Sequence, residues 1–328
     1  MSIFFFREKK PCIVLPIGHD FLMKLGLVCI SEILKQRDKT LSFKTMTRKR
    51  FNSLNRSIAI RELSERILHN AQLTHKIIAH CAKNNIKHYR VSSNLFPLIT
   101  DDTLDLSYSV LPHIRDIKAA LLQAGDVARQ LGISISSHPD QFNVLPSFNV
   151  VTVEKSIKEL NHQSFVLDAM GCPQDYRAPM CLHLNLSFDS GKESIDDYVN
   201  RFTAAFNRCD KGVQKRLVLE NEDKGSWNAQ NLYRYFGAFM PLVFDNLHDD
   251  CNPSSHCYFE SFKKTWGNYT PIMHWSEGLA DKPRSHSNAF SHIPQIVFSN
   301  QDCVWECEVK DKDISILQIL RKMVDAAA

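Results

Sequence analysis

Eight short apolar runs, most of them separated by segments of helical periodicity, constrain this chain more than any other feature. The runs are Leu25–Ile30, Ile86–Val91, Ile133–Ser136, Met180–Leu186, Arg216–Leu219, Pro241–Phe244, Ile272–His274 and Cys303–Val309. Between them, apolar residues recur three, four and seven positions apart, the stripe of a helix that buries one face. Ser57–Lys83 carries Leu63, Ile67, Ile77 and Ile78; His113–Leu131 carries Ile117, Leu121 and Ala124; Thr152–Met170 carries Val153, Ile157 and Leu160. Ile195–Arg208 and Ile314–Val324 repeat the theme, and shorter helices are expected after runs five to seven. Strands alternating with helices build parallel βα units. Eight such units fit a closed (β/α)8 TIM barrel of the α/β class better than an open sheet. With no internal repeat and no linker, the reading is one barrel domain over 25–328, after an N-terminal extension over 1–24.

Composition narrows the partners. Forty Lys+Arg against thirty-six Asp+Glu leave a net charge of +4, which permits an anionic partner without requiring one. No apolar run approaches the ~20 residues of a membrane span. The opening apolar cluster is broken by Arg7-Glu8-Lys9-Lys10, the wrong order for a signal peptide, so an intracellular protein is expected. The ten cysteines contain no C-x-x-C pair; the nearest spacings are Cys303/Cys307 and Cys251/Cys257. Buried, reduced thiols are expected rather than a zinc ribbon or redox motif. Lys35–Arg50 holds seven Lys/Arg and one Asp just after the first strand, either as a solvated loop or as a phosphate-contacting one.

The chemistry-bearing residues gather at strand ends. His138 follows the third run, His183 lies in the fourth, and Glu220 ends the fifth. Asp245 and His248 follow the sixth, His274 ends the seventh with His286 in the next loop, and Glu306 and Glu308 lie in the eighth. Singly, such a His is an ordinary hydrogen-bonded residue and such an Asp a helix N-cap. Together they bring imidazoles and carboxylates from six successive strands to the end where barrels build active sites. Buried carboxylates are costly unless paired or on a metal. Imidazole and carboxylate without thiolate suit Mn²⁺, Zn²⁺ or Fe²⁺ in open coordination. So many candidates exceed one ion and suggest two or three, the arrangement that clamps a phosphodiester during hydrolysis. A metal-dependent sugar isomerase on the same barrel would use these residue types but would not obviously need as many.

At these residues the sequence resembles the UV damage endonuclease family. The matching segments, in family order, include Leu25-Gly26, Tyr89-Arg-Val-Ser-Ser-Asn-Leu-Phe-Pro97, Ser137-His-Pro-Asp-Gln-Phe142, Leu182-His-Leu184, Leu219-Glu-Asn-Glu-Asp223, Leu242-Val-Phe-Asp245-x-x-His248, His274-x-Ser276, His286-Ser and Glu308-Val-Lys-Asp-Lys-Asp313. The resemblance implies a manganese-dependent nuclease that incises UV-damaged duplex DNA immediately 5′ to a photoproduct, with Zn²⁺ or Mg²⁺ as alternative metals. By motif match it implies metal ligands at His138, His183, Glu220, Asp245, His248, His274, His286 and Glu308. Glu220 and Asp245 would bridge, and Glu306 is the alternative to Glu308. Gln141 and Phe142 would probe the lesion, filling the gap left when poorly stacked bases are flipped. Lys310 would either add positive charge near the phosphate or pair with a ligand carboxylate.

Three positions depart from the family pattern. Ile272 stands where the family carries a lysine, often carboxylated, and Leu27 replaces a tyrosine. The loop between Tyr89 and Pro112 lacks an expected histidine. The rival readings are an apurinic/apyrimidinic endonuclease of the endonuclease IV type, the sugar isomerase, and a non-catalytic damage-binding protein.

Overall fold

A computed structural model describes residues 23–327. All eight apolar runs overlap a strand: β1 Lys24–Val28, β2 His88–Val91, β3 Ser134–Ser137, β4 Met180–Leu182, β5 Leu217–Glu220, β6 Leu242–Val243, β7 Ile272–Ser276 and β8 Val304–Glu308. They are parallel and ordered β6-β5-β4-β3-β2-β1-β8-β7. The remaining seam, between β6 and β7, is closed by a parallel bridge between Asp245 and His274, where His274 N–H donates to the Phe244 carbonyl at 3.0 Å. The result is a single-domain (β/α)8 barrel, and the expected extension over 1–24 lies almost wholly outside the described residues.

The long helices stand where the periodicity places them, over Arg56–Lys83, Ile114–Leu131, Val150–Ala169, Ile195–Phe206 and Asp313–Ala327. Arg56–Lys83 starts at an Asn55 cap and buries Leu63, Ile67, Ile77 and Ile78. Ile114–Leu131 stops at Gly132, whose φ of 66° is the left-handed conformation that glycine enters without a Cβ penalty. Helices after β5, β6 and β7 are short: Ala229–Phe236, Asn246–Cys251, Phe259–Thr265 and Gln295–Ser299. Among the described residues no helix is long and apolar enough to cross a membrane.

The barrel interior departs from the usual layers of branched apolar side chains. At mid-height Gly26 lies opposite His88 in the β1–β2 register, and a Cβ at Gly26 would come within 2.8 Å of the imidazole. That missing side chain makes room for a buried polar layer. His88 Nδ1 meets Ser134 Oγ at 2.7 Å, and its Nε2 meets Ser136 Oγ and Glu306 Oε1 at 2.9 Å each.

Candidate active site at the barrel mouth

Glu220 ends β5 and is the hub of the mouth. Its Oε2 lies 3.0 Å from His138 Nε2, which follows β3, and 3.3 Å from His183 Nε2, which follows β4. Its Oε1 lies 3.1 Å from His248 Nδ1 and 2.9 Å from His274 Nδ1. Burial works against ionising Glu220, but the charge of His274 and the close His138 and His248 hold its carboxyl well below the usual range. Burial pushes His183 down to about 3, so at neutral pH that ring is uncharged and its lone pair is available.

Asp245 performs two tasks. It caps the helix Asn246–Cys251 by accepting the His248 N–H at Oδ1, 2.8 Å, as an aspartate after a strand commonly does. Its Oδ2 accepts the Ser276 hydroxyl at 2.6 Å, and Asn221 fixes its backbone on both sides. The capped turn also sets His248, three residues on, beside Glu220.

The strand-eight carboxylates separate by depth. Glu308 is slightly exposed and sits 3.5 Å from His274 Nδ1. Glu306 is buried beneath it, paired with His88 and with Arg90 Nη1 at 2.8 Å, and 3.1 Å from His274 Nε2. Arg90 also pairs with Glu308. Burial opposes ionisation of Glu308, yet Arg90 and His274 lower its pKa.

Four sets of three side chains bring donor atoms within 4.8 Å of one another: His138, His183 and Glu220; Glu220, Asp245 and His248; Asp245, His274 and Glu308; and Cys181, Glu220 and His274. Seven of the eight sequence-predicted ligands fall in these sets. His286 stands at the rim instead, its Nε2 3.7 Å from Glu308 and its side chain 32% exposed. Three buried polar atoms in the cluster, Glu220 Oε1 and both ring nitrogens of His274, lie close to other groups yet make no hydrogen bond of acceptable geometry. A buried polar atom left this way is costly unless something completes it. The donor set therefore fits a cation.

Cys181 is a further donor that the sequence pattern does not single out. Composition places it among the buried, reduced thiols, but its Sγ lies 3.4 Å from Glu220 Oε2. The signal was available, because residues 181 and 183 of a strand share a face. Burial of the other cysteines is not uniform, since Cys257 is exposed. Glu222, also overlooked, is pushed up to about 7 by burial with help from Asp223, while accepting the Asn185 N–H at 2.7 Å.

The remaining predicted residues line the rim. Gln141 is exposed and Phe142 is 76% exposed, so Phe142 is no core residue. Their turn is fixed by Asp140, which accepts the Phe142 N–H at 3.0 Å. Lys310 is exposed and makes no ion pair with a mouth carboxylate among the described residues. In the basic segment, Lys35 pairs with Glu32, Arg48 with Asp101 and Arg50 with Glu62. Lys39 and Lys49 are exposed without an ion pair among the described residues. Leu27 is fully buried in the core, and Ile272 lies at the opposite end of the barrel from the mouth.

The family model described as UV-endonuclease UvdE matches residues 23–327. A UV DNA damage endonuclease of Nostoc sp. is 32% identical over 310 residues, covering 90% of this chain and 89% of the relative. One from Deinococcus radiodurans is 28% identical, covering 89% of this chain and 93% of its own. The crystal structure of SacUVDE superposes with a TM-score of 0.73 at 26% identity, over 92% of this chain and 99% of that one. A 3-keto-D-glucoside 4-epimerase from E. coli shares only the fold, at 10% identity and a TM-score of 0.51, over 77% of this chain and 94% of its own. A family match across the whole described chain, on a barrel whose mouth gathers the family's motif residues, makes this chain a member of the UV-endonuclease UvdE family.

Proposed function

We propose that the chain is a metal-dependent endodeoxyribonuclease that nicks duplex DNA immediately 5′ to UV photoproducts, including pyrimidine dimers, and so opens excision repair. The observation that carries the reading is the Glu220 cluster, a buried carboxylate ringed by four imidazoles, whose Oε1 lies beside two of them without hydrogen-bonding to either. His138, His183, Glu220, Asp245, His248, His274 and Glu308 would hold two or three divalent ions, with His286 at the rim and Mn²⁺ the preferred metal over Zn²⁺ or Mg²⁺. The chemistry such ions supply is Lewis-acid activation of water and neutralisation of charge on the phosphate.

The chain's own groups prepare the site for that chemistry. Glu220 and Asp245 present carboxylate oxygens that can be shared between neighbouring ions. Ser276 and Asn221 lock Asp245, and Arg90 holds Glu308 in its ionised form. Lys310 is free to meet a phosphate at the rim. Gln141 and Phe142, on their fixed turn, would enter the gap left by a flipped lesion and stack on the orphaned bases. Recognition by poor stacking, rather than by base identity, accommodates chemically different lesions.

The test is an end-labelled duplex carrying one cyclobutane dimer, incubated with the protein and Mn²⁺ beside undamaged, abasic and EDTA lanes. A metal-dependent nick just 5′ to the dimer is expected. Cleavage at the abasic site alone would replace this reading with an apurinic endonuclease. Ketose formation without DNA cleavage would replace it with a sugar isomerase. Salt-sensitive DNA binding without cleavage would leave a damage-binding protein.

A further inference from the structure

The barrel has a second opening at the end opposite the mouth, with a lining more apolar than polar. There Lys24, Lys87, Arg177, Ser134 and Tyr176, with the apolar Ile272 and Val304, line a half-open cavity of about 440 Å³, within the ~300–1,000 Å³ of small-molecule sites. The four residues of β3 separate it from the candidate active site, roughly 13 Å at ~3.3 Å per residue.

The charge in this cavity is unbalanced. Among the described residues no carboxylate lines it, and neither Lys24 nor Lys87 makes an ion pair. Arg177 is already paired with Asp175 at 2.6 Å, so the two ammonium groups carry the excess. A concave site lined by one sign of charge concentrates the opposite ion. Ser134 Oγ is held by His88 Nδ1 at 2.7 Å, which fixes a hydroxyl in the cavity wall. The Tyr176 ring is braced edge-on by Tyr269, with centroids 5.4 Å apart, and by Trp266 at 6.5 Å. Braced in this way, a tyrosine offers a rigid apolar surface at little entropic cost.

We propose that this floor cavity binds a nucleoside 5′-monophosphate, with the phosphate between Lys24 and Lys87 and the base against Tyr176. The cations account for a phosphate, the ring for a flat heterocycle, and the volume for a ligand of this size. The site is independent of the chemistry at the mouth.

The test titrates the full chain with 5′-AMP in EDTA, which keeps divalent ions from the mouth, with inorganic phosphate and adenosine in parallel. Calorimetry should show saturable AMP binding, tighter than either fragment. The Lys24→Ala/Lys87→Ala variant should bind AMP roughly tenfold more weakly, the scale of lost hydrogen bonds to charged groups. Tyr176→Leu should weaken AMP and leave phosphate unchanged, and Glu220→Gln should leave AMP affinity unchanged. In the wild-type chain, where no variant needs to fold, AMP should protect Lys24 and Lys87 from chemical acetylation. Absence of saturable binding, absence of protection, equal affinity for phosphate alone, or loss of binding in Glu220→Gln would each overturn the assignment.

Discussion

Glu306 and Glu308 project from the same face of β8 and share a single guanidinium nitrogen, Nη1 of Arg90. Only Glu308 reaches the mouth, where it joins Asp245 and His274. Glu306 is spent inside the barrel on His88, Ser136 and Arg90. Substitution should separate the two. Glu308→Gln is expected to lower Mn²⁺ affinity and incision by more than the ~10–100-fold typical of an outer-shell partner, with little change in melting temperature. Glu306→Gln leaves a buried arginine short of a partner and should cost about 3–5 kcal/mol. Calorimetric Mn²⁺ titrations beside melting curves check both; a stable Glu306→Gln protein that no longer binds metal would reverse the roles.

Metal should stabilise this fold as well as activate it. The cluster holds Glu220 Oε1 and both His274 ring nitrogens buried without a well-formed hydrogen bond, and a bound cation would remove that cost. Mn²⁺ at 100 times its Kd is expected to add about 3 kcal/mol by mass action. Addition of EDTA should reverse the rise in melting temperature. Glu220→Gln and His183→Ala should fold, show no such rise and leave the dimer duplex uncut. Full activity in either variant would contradict the ligand assignment.

The barrel was legible because its signal is periodic. Each strand is a short apolar run, and each long helix repeats its stripe for several turns. The mouth was legible because His138, His183, Glu220, Asp245, His274 and Glu308 all fall at strand ends, and closure of the barrel brings strand ends together. What the sequence hides is depth and pairing. Residues 306 and 308 have the same parity, so only the height of the barrel distinguishes them. Cys181 shares a face with His183, but a thiol among ten unpaired cysteines carries no mark of its own. Asp313, which belongs to the family-like motif after β8, proves structural: it accepts from Ser31, from the Glu32 N–H at 2.9 Å and from His80 at 2.9 Å. It therefore ties the last βα unit to the first. Contacts between residues 282 positions apart leave no local pattern.

Phe142 provides a test of lesion sensing that stability does not confound. With the ring 76% exposed, Phe142→Ala should leave the melting temperature unchanged. If the ring stacks on bases orphaned by a flipped dimer, its loss should weaken binding to a dimer duplex by roughly 10–100-fold, the worth of one aromatic–base stack. Binding to undamaged duplex, held by backbone contacts, should change little. The ratio of the two affinities, measured at one salt concentration, is the readout. An equal loss on both duplexes would make Phe142 a general DNA contact.

His162 sets a pH limit on stability that is separate from the mouth. It is buried on the helix Val150–Ala169, stacked on Tyr108 and edge-on to Phe96, and its Nδ1 faces the Tyr108 hydroxyl at 2.7 Å. Burial pushes its pKa down to about 4 from the ordinary 6.5. The folded form therefore holds this proton more weakly than the unfolded chain. Its stabilising contribution is complete above about pH 6.5 and is lost as pH falls toward 4, with an upper bound of about 3 kcal/mol. His162→Asn keeps an acceptor for Tyr108 and removes the titration. The stability difference between wild type and variant, from denaturant melts at pH 4, 5, 6 and 7, should shrink steadily on acidification and flatten above pH 6.5. A difference independent of pH across this range would show that His162 binds its proton equally well in the folded and unfolded chains.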